Sequence, residues 1–303
     1  MRRNFLLIAN PGAGVAGSPL VAEVARALER GRAKITHTAV ADGPEATRRA
    51  ARQAAEAGSH DAIVVAGGDG TIRQVAAGLI GTKMPLGIIP VGTGNVLAHE
   101  INLAPSASAV AAMLLDGPVN SVACAEANGE PFLLMVGAGF DARVLQALDQ
   151  RLKSRVGKMA YAGPLLGALI RPIDVLVVTV DGERHAASWV VIANARHYGG
   201  RFVLAPRTGI LVRGLEAILF KAKNRAVLLS QLMSLAAGRL EPRALQGADV
   251  VMLRCSQVSV TAHEPVPTQI DGDVLGATPL QVHEGTAELR LIVPPPGPGT
   301  SGR

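Results

Sequence analysis

Short apolar runs alternate with helically spaced stretches over the first third of the chain. Phe5–Ala9, Ala62–Ala66 and Leu86–Ile89 are nearly continuous in β-branched and small apolar residues. Such runs predict parallel strands buried on both faces. Lys34–Val40 reads as a further strand. Leu20–Leu28, Glu45–Ala57 and Ser106–Leu115 have helical spacing, and another helix begins near Val96. Strands and helices joined by short links predict a parallel sheet covered on both faces. From Asp116-Gly117-Pro118 onward the texture changes. Ser121–Glu126, Pro131–Val136, Val175–Val180, Ser188–Ala193, Leu215–Phe220, Val250–Leu253, Val258–Thr261, Thr268–Ile270 and Glu288–Val293 read as strands. Asn128-Gly129 and Asp181-Gly182 are hairpin signals. The fold class is therefore α/β plus all-β. A doubly wound parallel-sheet domain spans residues 1–118, and an antiparallel β-sandwich or open barrel spans 119–293. The last strand is in a position to return to the first domain. Helical stretches at Ala142–Ile170 and Ala222–Leu240 interrupt the second half, and residues 294–303 read as a disordered Pro/Gly-rich tail.

Composition narrows the classes. A chain of 303 residues suits two domains, and 49% hydrophobic residues with a mean hydropathy of +0.29 supply large cores. The net charge of +6 favours anionic partners. Only 3% of residues are aromatic, which argues against a stacking-based nucleic-acid binder. Cys124 and Cys255 match no metal spacing, and the Arg2-Arg3 start is broken at Asn10-Pro11 before it can form a signal core. The expectation is a reduced, cytoplasmic chain. No run reaches the ~20 apolar residues of a membrane span.

The chemistry concentrates at Ile63 to Thr71, where a buried strand stops at Gly67-Gly68-Asp69-Gly70-Thr71 and a helical pattern follows. Glycines let a ligand approach the backbone, and a helix N-terminus attracts phosphate. An acid inside such a turn is compatible with phosphate when Mg²⁺ lies between them. An ordinary strand–turn–helix corner has the same composition. Pro90-Val91-Gly92-Thr93-Gly94-Asn95 closes the next strand in a similar way. Gly12-Ala13-Gly14-Val15-Ala16-Gly17, with Asp42 further on, formally matches a dinucleotide fingerprint, though chance matches are common in so Gly-rich a chain. No P-loop sequence occurs. Gln269-Ile270-Asp271-Gly272-Asp273 sets two carboxylates about a glycine, either a base with a positioning group or simply a tight turn. The seven histidines show neither metal spacing nor a triad. Arg143, Arg151, Lys153, Arg155 and Lys158 accompany Met159, Tyr161, Leu165, Leu166 and Leu169; Lys221, Lys223, Arg225 and Arg239 surround Val227–Leu235. These are either membrane-docking faces or core helices with basic rims.

The ordered set of motifs resembles the diacylglycerol kinase catalytic-domain family, which includes bacterial soluble lipid kinases and is distantly similar to NAD kinases. The matching pieces are Asn10-Pro11-x-x-Gly14, Gly67–Thr71, Pro90-x-Gly92-Thr93-Gly94-Asn95, Gly137-x-Gly139-Phe140-Asp141, Asn194 through Gly199-Gly200 to Pro206, and Asp271-Gly272-Asp273. The resemblance implies an ATP-dependent lipid kinase, with ATP lying between an α/β domain and a β-sandwich. It maps nucleotide contacts onto Asn10, Gly14, Gly67, Gly68, Asp69, Gly70, Thr71, Ile72, Arg73, Gln74, Gly92, Thr93 and Asn95. Mg²⁺ is implied near Asp69, and the base at Asp273, with Asp271 second. A peripheral contact with an anionic membrane surface and a place in phospholipid biosynthesis are implied too.

The sequence departs from the family pattern at several positions. Val96 stands where an acid is usual, Thr-Ile-Asn-Glu becomes Thr71-Ile72-Arg73-Gln74, and Asp273 replaces a glutamate. Arg213-Gly214 replaces an Asp-Gly whose acid binds a structural metal in soluble bacterial members. That site is expected to be metal-free, with Arg213 supplying the charge. Three rivals share these residues: a kinase of NAD or another small alcohol, a catalytically weak nucleotide- or lipid-binding regulator, and, more distantly, a dinucleotide-dependent oxidoreductase.

Overall fold

The computed structural model describes residues 2–9, 17–39, 43–149, 157–247 and 249–295. Asn10, Gly14, Asp42, Arg151, Lys153 and Arg155 lie outside the described residues, as do positions 296–303 of the expected tail. The chain forms two compact units, residues 1–122 with 287–303, and residues 123–286.

In the first unit the strands are β1 (Asn4–Ala9), β2 (Lys34–Ala39), β3 (Ala62–Gly67), β4 (Leu86–Pro90), β5 (Val119–Ala123) and β20 (Glu288–Ile292). They form one sheet in the order β2-β1-β3-β4-β20-β5. The pairs β1/β2, β1/β3, β3/β4 and β4/β20 are all parallel. All of β3 and β4 is buried, as their unbroken apolar runs require. The helices are α1 (Pro19–Arg30), α2 (Pro44–Ala57), α3 (Asp69–Leu79), α4 (Val96–Glu100) and α5 (Ala107–Asp116). α1 packs with α5 and α2 with α3. Two side chains of α2 fix the second pair: Arg48 Nε donates to Gln74 Oε1 at 2.8 Å, and Arg52 Nη2 to the Ile80 carbonyl at 2.9 Å. The order reverses around β1, which puts the ligand crevice of such sheets at the carboxyl ends of β1, β3 and β4.

Among the described residues the second unit has two six-stranded antiparallel sheets and a short ribbon of β12 (His197–Tyr198) with β13 (Phe202–Val203). One runs β10 (Glu183–Ala187), β9 (Leu176–Val180), β16 (Gln257–Ala262), β19 (Leu280–His283), β6 (Ala125–Ala127), β7 (Glu130–Phe132). The other runs β15 (Val250–Cys255), β14 (Leu215–Phe220), β11 (Trp189–Ala193), β8 (Met135–Ala138), β17 (Pro267–Ile270), β18 (Asp273–Ala277). Phe132, Val178, Val258 and Leu280 of the first meet Val136, Ile192, Leu219 and Ile270 of the second in one core. The architecture is a sandwich rather than an open barrel. Three hairpins share one turn geometry. Asn128-Gly129 joins β6 to β7, Asp181-Gly182 joins β9 to β10, and Asp271-Gly272 joins β17 to β18, with both residues of each pair at positive φ. That is the two-residue turn whose twist suits paired strands.

The helical stretches are shorter than their sequence spacing implies. The first contains α6 (Phe140–Gln146), a 3₁₀ turn at Gly157–Tyr161 and the helix Ala162–Ile170. The second divides into Arg225–Ala236, which starts at an Asn224 cap, and Leu240–Leu245. Arg143, one of the cations of the first stretch, forms a two-pronged ion pair with Asp174.

Leu291 of β20 is fully buried in the first unit's sheet. Leu291→Ala is expected to lower unfolding free energy by about 2–5 kcal/mol, read from urea denaturation, because β20 is an interior strand of that sheet.

Candidate functional site

β3 ends at Gly67, and Gly68 is the N-cap of α3 with no side chain capping it. The first-turn N–H groups and the positive dipole end are therefore left to a ligand. The turn after β4 lies directly alongside. Val91 N donates to the Gly67 carbonyl at 3.2 Å, and a Cβ on Gly92 would stand 2.5 Å from Gly68 Cα. Two backbones thus touch where any side chain would separate them, and the surface they offer is peptide. Asn95, at φ +48°, closes the second turn by accepting from Gly92 N at 2.8 Å.

Asp69 ties the two turns together. Its Oδ2 accepts from Val96 N and its Oδ1 from Leu97 N, both at 3.1 Å. It therefore caps α4, which has no cap from its own Asn95 side chain. Burial pushes the Asp69 carboxyl above its ordinary range; those two N–H bonds and His99 oppose the rise. Gly67, Gly68, Asp69, Gly70, Thr71, Gly92, Thr93 and Asn95 are thus brought together. Three other expected nucleotide contacts lie deeper. The Ile72 side chain is in the core at 1% exposure, and Arg73 and Gln74 are both buried. Gln74 is committed to Arg48 of α2.

In the second unit, Asp271 is buried in the turn between β17 and β18. Its Oδ2 accepts from Leu133 N, and its Oδ1 from Leu134 N and Met135 N, each at 2.9 Å. A carboxylate holding three backbone amides is spoken for structurally. Asp273, the first residue of β18, is only half buried. A second acid, Asp141 in the first turn of α6, is nearly inaccessible, and burial raises its carboxyl to about 6 against the pull of bonds from Ala142 N and Gln269. The quoted Gly137–Asp141 motif carried no role in the sequence; the structure shows that it buries an acid.

Among the described residues no three His, Cys, Asp or Glu side chains cluster as a metal cage. Asp69 accepts from its own N–H as well as from Val96 and Leu97, which leaves about one of a carboxylate's roughly four acceptor sites for a cation bound chiefly by phosphate oxygens and water. Beside Arg213, Arg254 brings a second cationic group to this loop: its Nη1 donates to the Arg207 carbonyl at 3.2 Å and its Nη2 to the Arg213 carbonyl at 2.8 Å. Arg207 in turn pairs with the fully buried Glu216. Carbonyls already holding a guanidinium do not fit a structural cation, and nothing in the sequence spacing pointed to Arg254.

A phosphate-attracting double turn on a doubly wound sheet, with a separate antiparallel sandwich, is the architecture of the NAD kinase and lipid kinase class. The comparisons narrow it. Residues 4–127 match the diacylglycerol kinase catalytic domain, and residues 134–293 match the YegS C-terminal NAD kinase beta sandwich-like domain. The chain belongs to this diacylglycerol kinase family and is a kinase. It is 28% identical to a diacylglycerol kinase of Mycobacterium tuberculosis over 95% of this chain and 94% of that one. It is 25% identical to a Bacillus subtilis diacylglycerol kinase, covering 85% and 84%. A further relative, an uncharacterised Synechocystis protein, is 29% identical, and there the match spans only 54% of its length. The crystal structure of a Bacillus anthracis diacylglycerol kinase shares the fold, with a TM-score of 0.76 at 21% identity, over 97% of this chain and 98% of that one.

Testable outcomes follow from these charges. The unfolded chain releases the Asp141 proton near its ordinary 3.8, whereas the native state holds it to about 6. The native state binds the extra proton in that window, so stability rises as pH falls through it, by an amount on the order of 3 kcal/mol for this group. Asp141→Asn is expected to reduce the gain in melting temperature between pH 7 and pH 5, measured by calorimetry. Stripping divalent cations with EDTA is expected to leave the melting temperature of the nucleotide-free protein unchanged, whereas Arg254→Ala lowers stability by about 1 kcal/mol.

Proposed function

We propose that the protein transfers the γ-phosphate of ATP to the hydroxyl of a diacylglycerol-like lipid. The observation that carries this reading is the contact of Gly68 with Gly92 at the uncapped start of α3, which leaves a bare peptide surface suited to phosphate. In this reading the β- and γ-phosphates lie on the Gly67–Thr71 and Gly92–Asn95 turns. Asp273 takes the proton of the attacking hydroxyl; Asp271, engaged by three amides, fixes the turn rather than reacting. Mg²⁺ arriving with the nucleotide, with Asp69 as its protein carboxylate, supplies electrostatic relief for the charge on the transferred group.

The lipid acceptor is favoured by exposed apolar residues near cations. Leu166, Ile170, Leu229 and Met233 are exposed on the helices Ala162–Ile170 and Arg225–Ala236, with Lys223 and Arg225 beside them. The two helices pack together, and Arg225 donates to the Ile170 carbonyl. Such a face suits peripheral contact with an anionic bilayer from the cytoplasmic side. No helix among the described residues is long and apolar enough to cross a membrane. The product, a phosphorylated lipid, suits phospholipid biosynthesis.

A second reading, a nucleotide-binding regulator with little turnover, is favoured by Gln74, whose amide is committed to Arg48 where the family pattern has an acid. One assay separates the readings. Full-length protein with radiolabelled ATP and Mg²⁺ is offered diacylglycerol in mixed micelles, or NAD. Label is expected in the lipid, and Asp273→Asn is expected to cut kcat by about 10²–10⁴-fold. Label retained at the original rate in that variant rejects the base. Label in NAD rejects the acceptor, and ATP binding without label anywhere supports the regulator.

A further inference from the structure

The turn that presents Asp273 is held from beneath by a chain of hydrogen bonds that the reaction chemistry does not call for. Gln269 lies on β17, next to a register shift between Thr268 and Gln269. Its side chain is buried, at 2% exposure. Its Nε2 donates to Asp141 Oδ2 at 3.0 Å, and its Oε1 accepts from Gly272 N at 3.1 Å. An amide can rotate by half a turn and exchange its two ends at little steric cost. Only one of the two orientations satisfies both neighbours here. A carboxylate accepts and never donates, so Asp141 dictates that the NH₂ faces α6 and the oxygen faces the turn.

Asp141 is itself immovable. Its Oδ1 accepts from Ala142 N at 2.8 Å, and a Cβ on Gly137 would fall 2.6 Å from its Oδ2. The Tyr198 phenol lies beside it, and burial first, then the neighbouring Asp141 carboxylate, raises the phenol's proton affinity. With 5% exposure and no open side, Asp141 cannot receive a substrate. Trp189 and Tyr198 also approach it, and its link to the turn runs through Gln269 to the Gly272 amide. From the other side, Asp271 pins the same turn to the amides of Leu133, Leu134 and Met135. Two residues of the turn are thus fixed independently, one by side chain and one by main chain, and the next residue is Asp273.

We propose that Asp141 and Gln269 are positioning residues, which set the orientation of the Asp271-Gly272 turn and thereby of the Asp273 carboxylate. The proposal rests on the reading of Asp273 as base, but its physical core, the brace on the Gly272 amide, is measurable without turnover. Misplacing a reacting group by ~1 Å costs about 10²-fold in rate.

The chain of bonds has a polarity that can be reversed. Asp141→Asn sets an amide NH₂ against the Gln269 NH₂, so the glutamine rotates and releases Gly272. Gln269→Glu sets two carboxylates together. Combining Asp141→Asn with Gln269→Glu exchanges donor and acceptor and restores both hydrogen bonds. Gly272 amide exchange is read by NMR on the full chain, alongside kcat and KM for ATP. Asp141→Asn is expected to speed Gly272 exchange by about tenfold and to lower kcat at least as much, with KM unchanged, and Gln269→Glu to do the same at a pH where both carboxyls are ionised. The double variant is expected to return both readouts toward the parent. The brace is overturned if the single variants leave Gly272 exchange unaltered, or if the double variant is as impaired as either. If the single variants fail to fold, recovery of Gly272 protection in the double variant decides the matter. If the parent protein shows no lipid phosphorylation, or if Asp273→Asn is fully active, the base reading fails while Gly272 exchange still judges the brace. Altered Gly272 exchange with kcat unchanged in both single variants overturns the positioning role.

Discussion

Aspartate carboxylates accepting backbone N–H groups hold nearly every turn that matters in this protein. Asp69 takes two amides of α4, and Asp271 takes three from residues 133–135. Asp181 does the same for Ser256 and Gln257, and Asp61 for Arg3 and Asn4. The side chain is short enough to reach main chain nearby and, when charged, bonds amides more strongly than a neutral acceptor. Where the acid is buried, desolvation opposes its charge, and the amides are what offset that penalty. Asp69 shows the competition directly, since burial raises its proton affinity while Val96 and Leu97 lower it. The two turns proposed to handle phosphate and proton depend on acids used in this structural way.

The same interaction explains how the chain departs from its family without losing its shape. Acids are missing at Val96, Gln74 and Arg213, yet none of these places is left loose. Val96 contributes its backbone N–H to Asp69, and Gln74 bridges to α2. The loop before β14 is drawn together by Arg254 across two carbonyls. At these places amide and guanidinium groups hold neighbouring segments of main chain and side chain together.

The α/β architecture was legible in the sequence because both faces of β3 and β4 are buried, so their apolar runs are unbroken. The glycine turns and the hairpins at Asn128-Gly129 and Asp181-Gly182 were legible because backbone geometry restricts which residues fit, whereas Asp271-Gly272 read as a turn without its second strand. The second unit was read less completely. β10 and β18 are exposed edge strands, and Glu183–Ala187 has little of the alternation that marks a half-buried strand. The long basic stretches looked continuous because helical spacing does not report where tertiary partners end a helix. Gln269, Arg48 and Arg254 were invisible for a related reason. Their partners Asp141, Gln74 and Arg213 are 128, 26 and 41 residues away, and no local pattern encodes such pairings.

β20 lies between β4 and β5 in the first unit's sheet, although it follows all the other described strands in the chain. A ribosome must therefore emit the whole second unit before the first can be completed. Until then β4 and β5 stand apart with unpaired edges, and a gap one strand wide separates them. The sandwich, whose pairings all lie within residues 123–286, is free to form during that wait. Nascent chains stalled before Glu288 would thus carry a finished sandwich beside an open sheet, the form in which this protein is most exposed to chaperones and to strand exchange with its own copies.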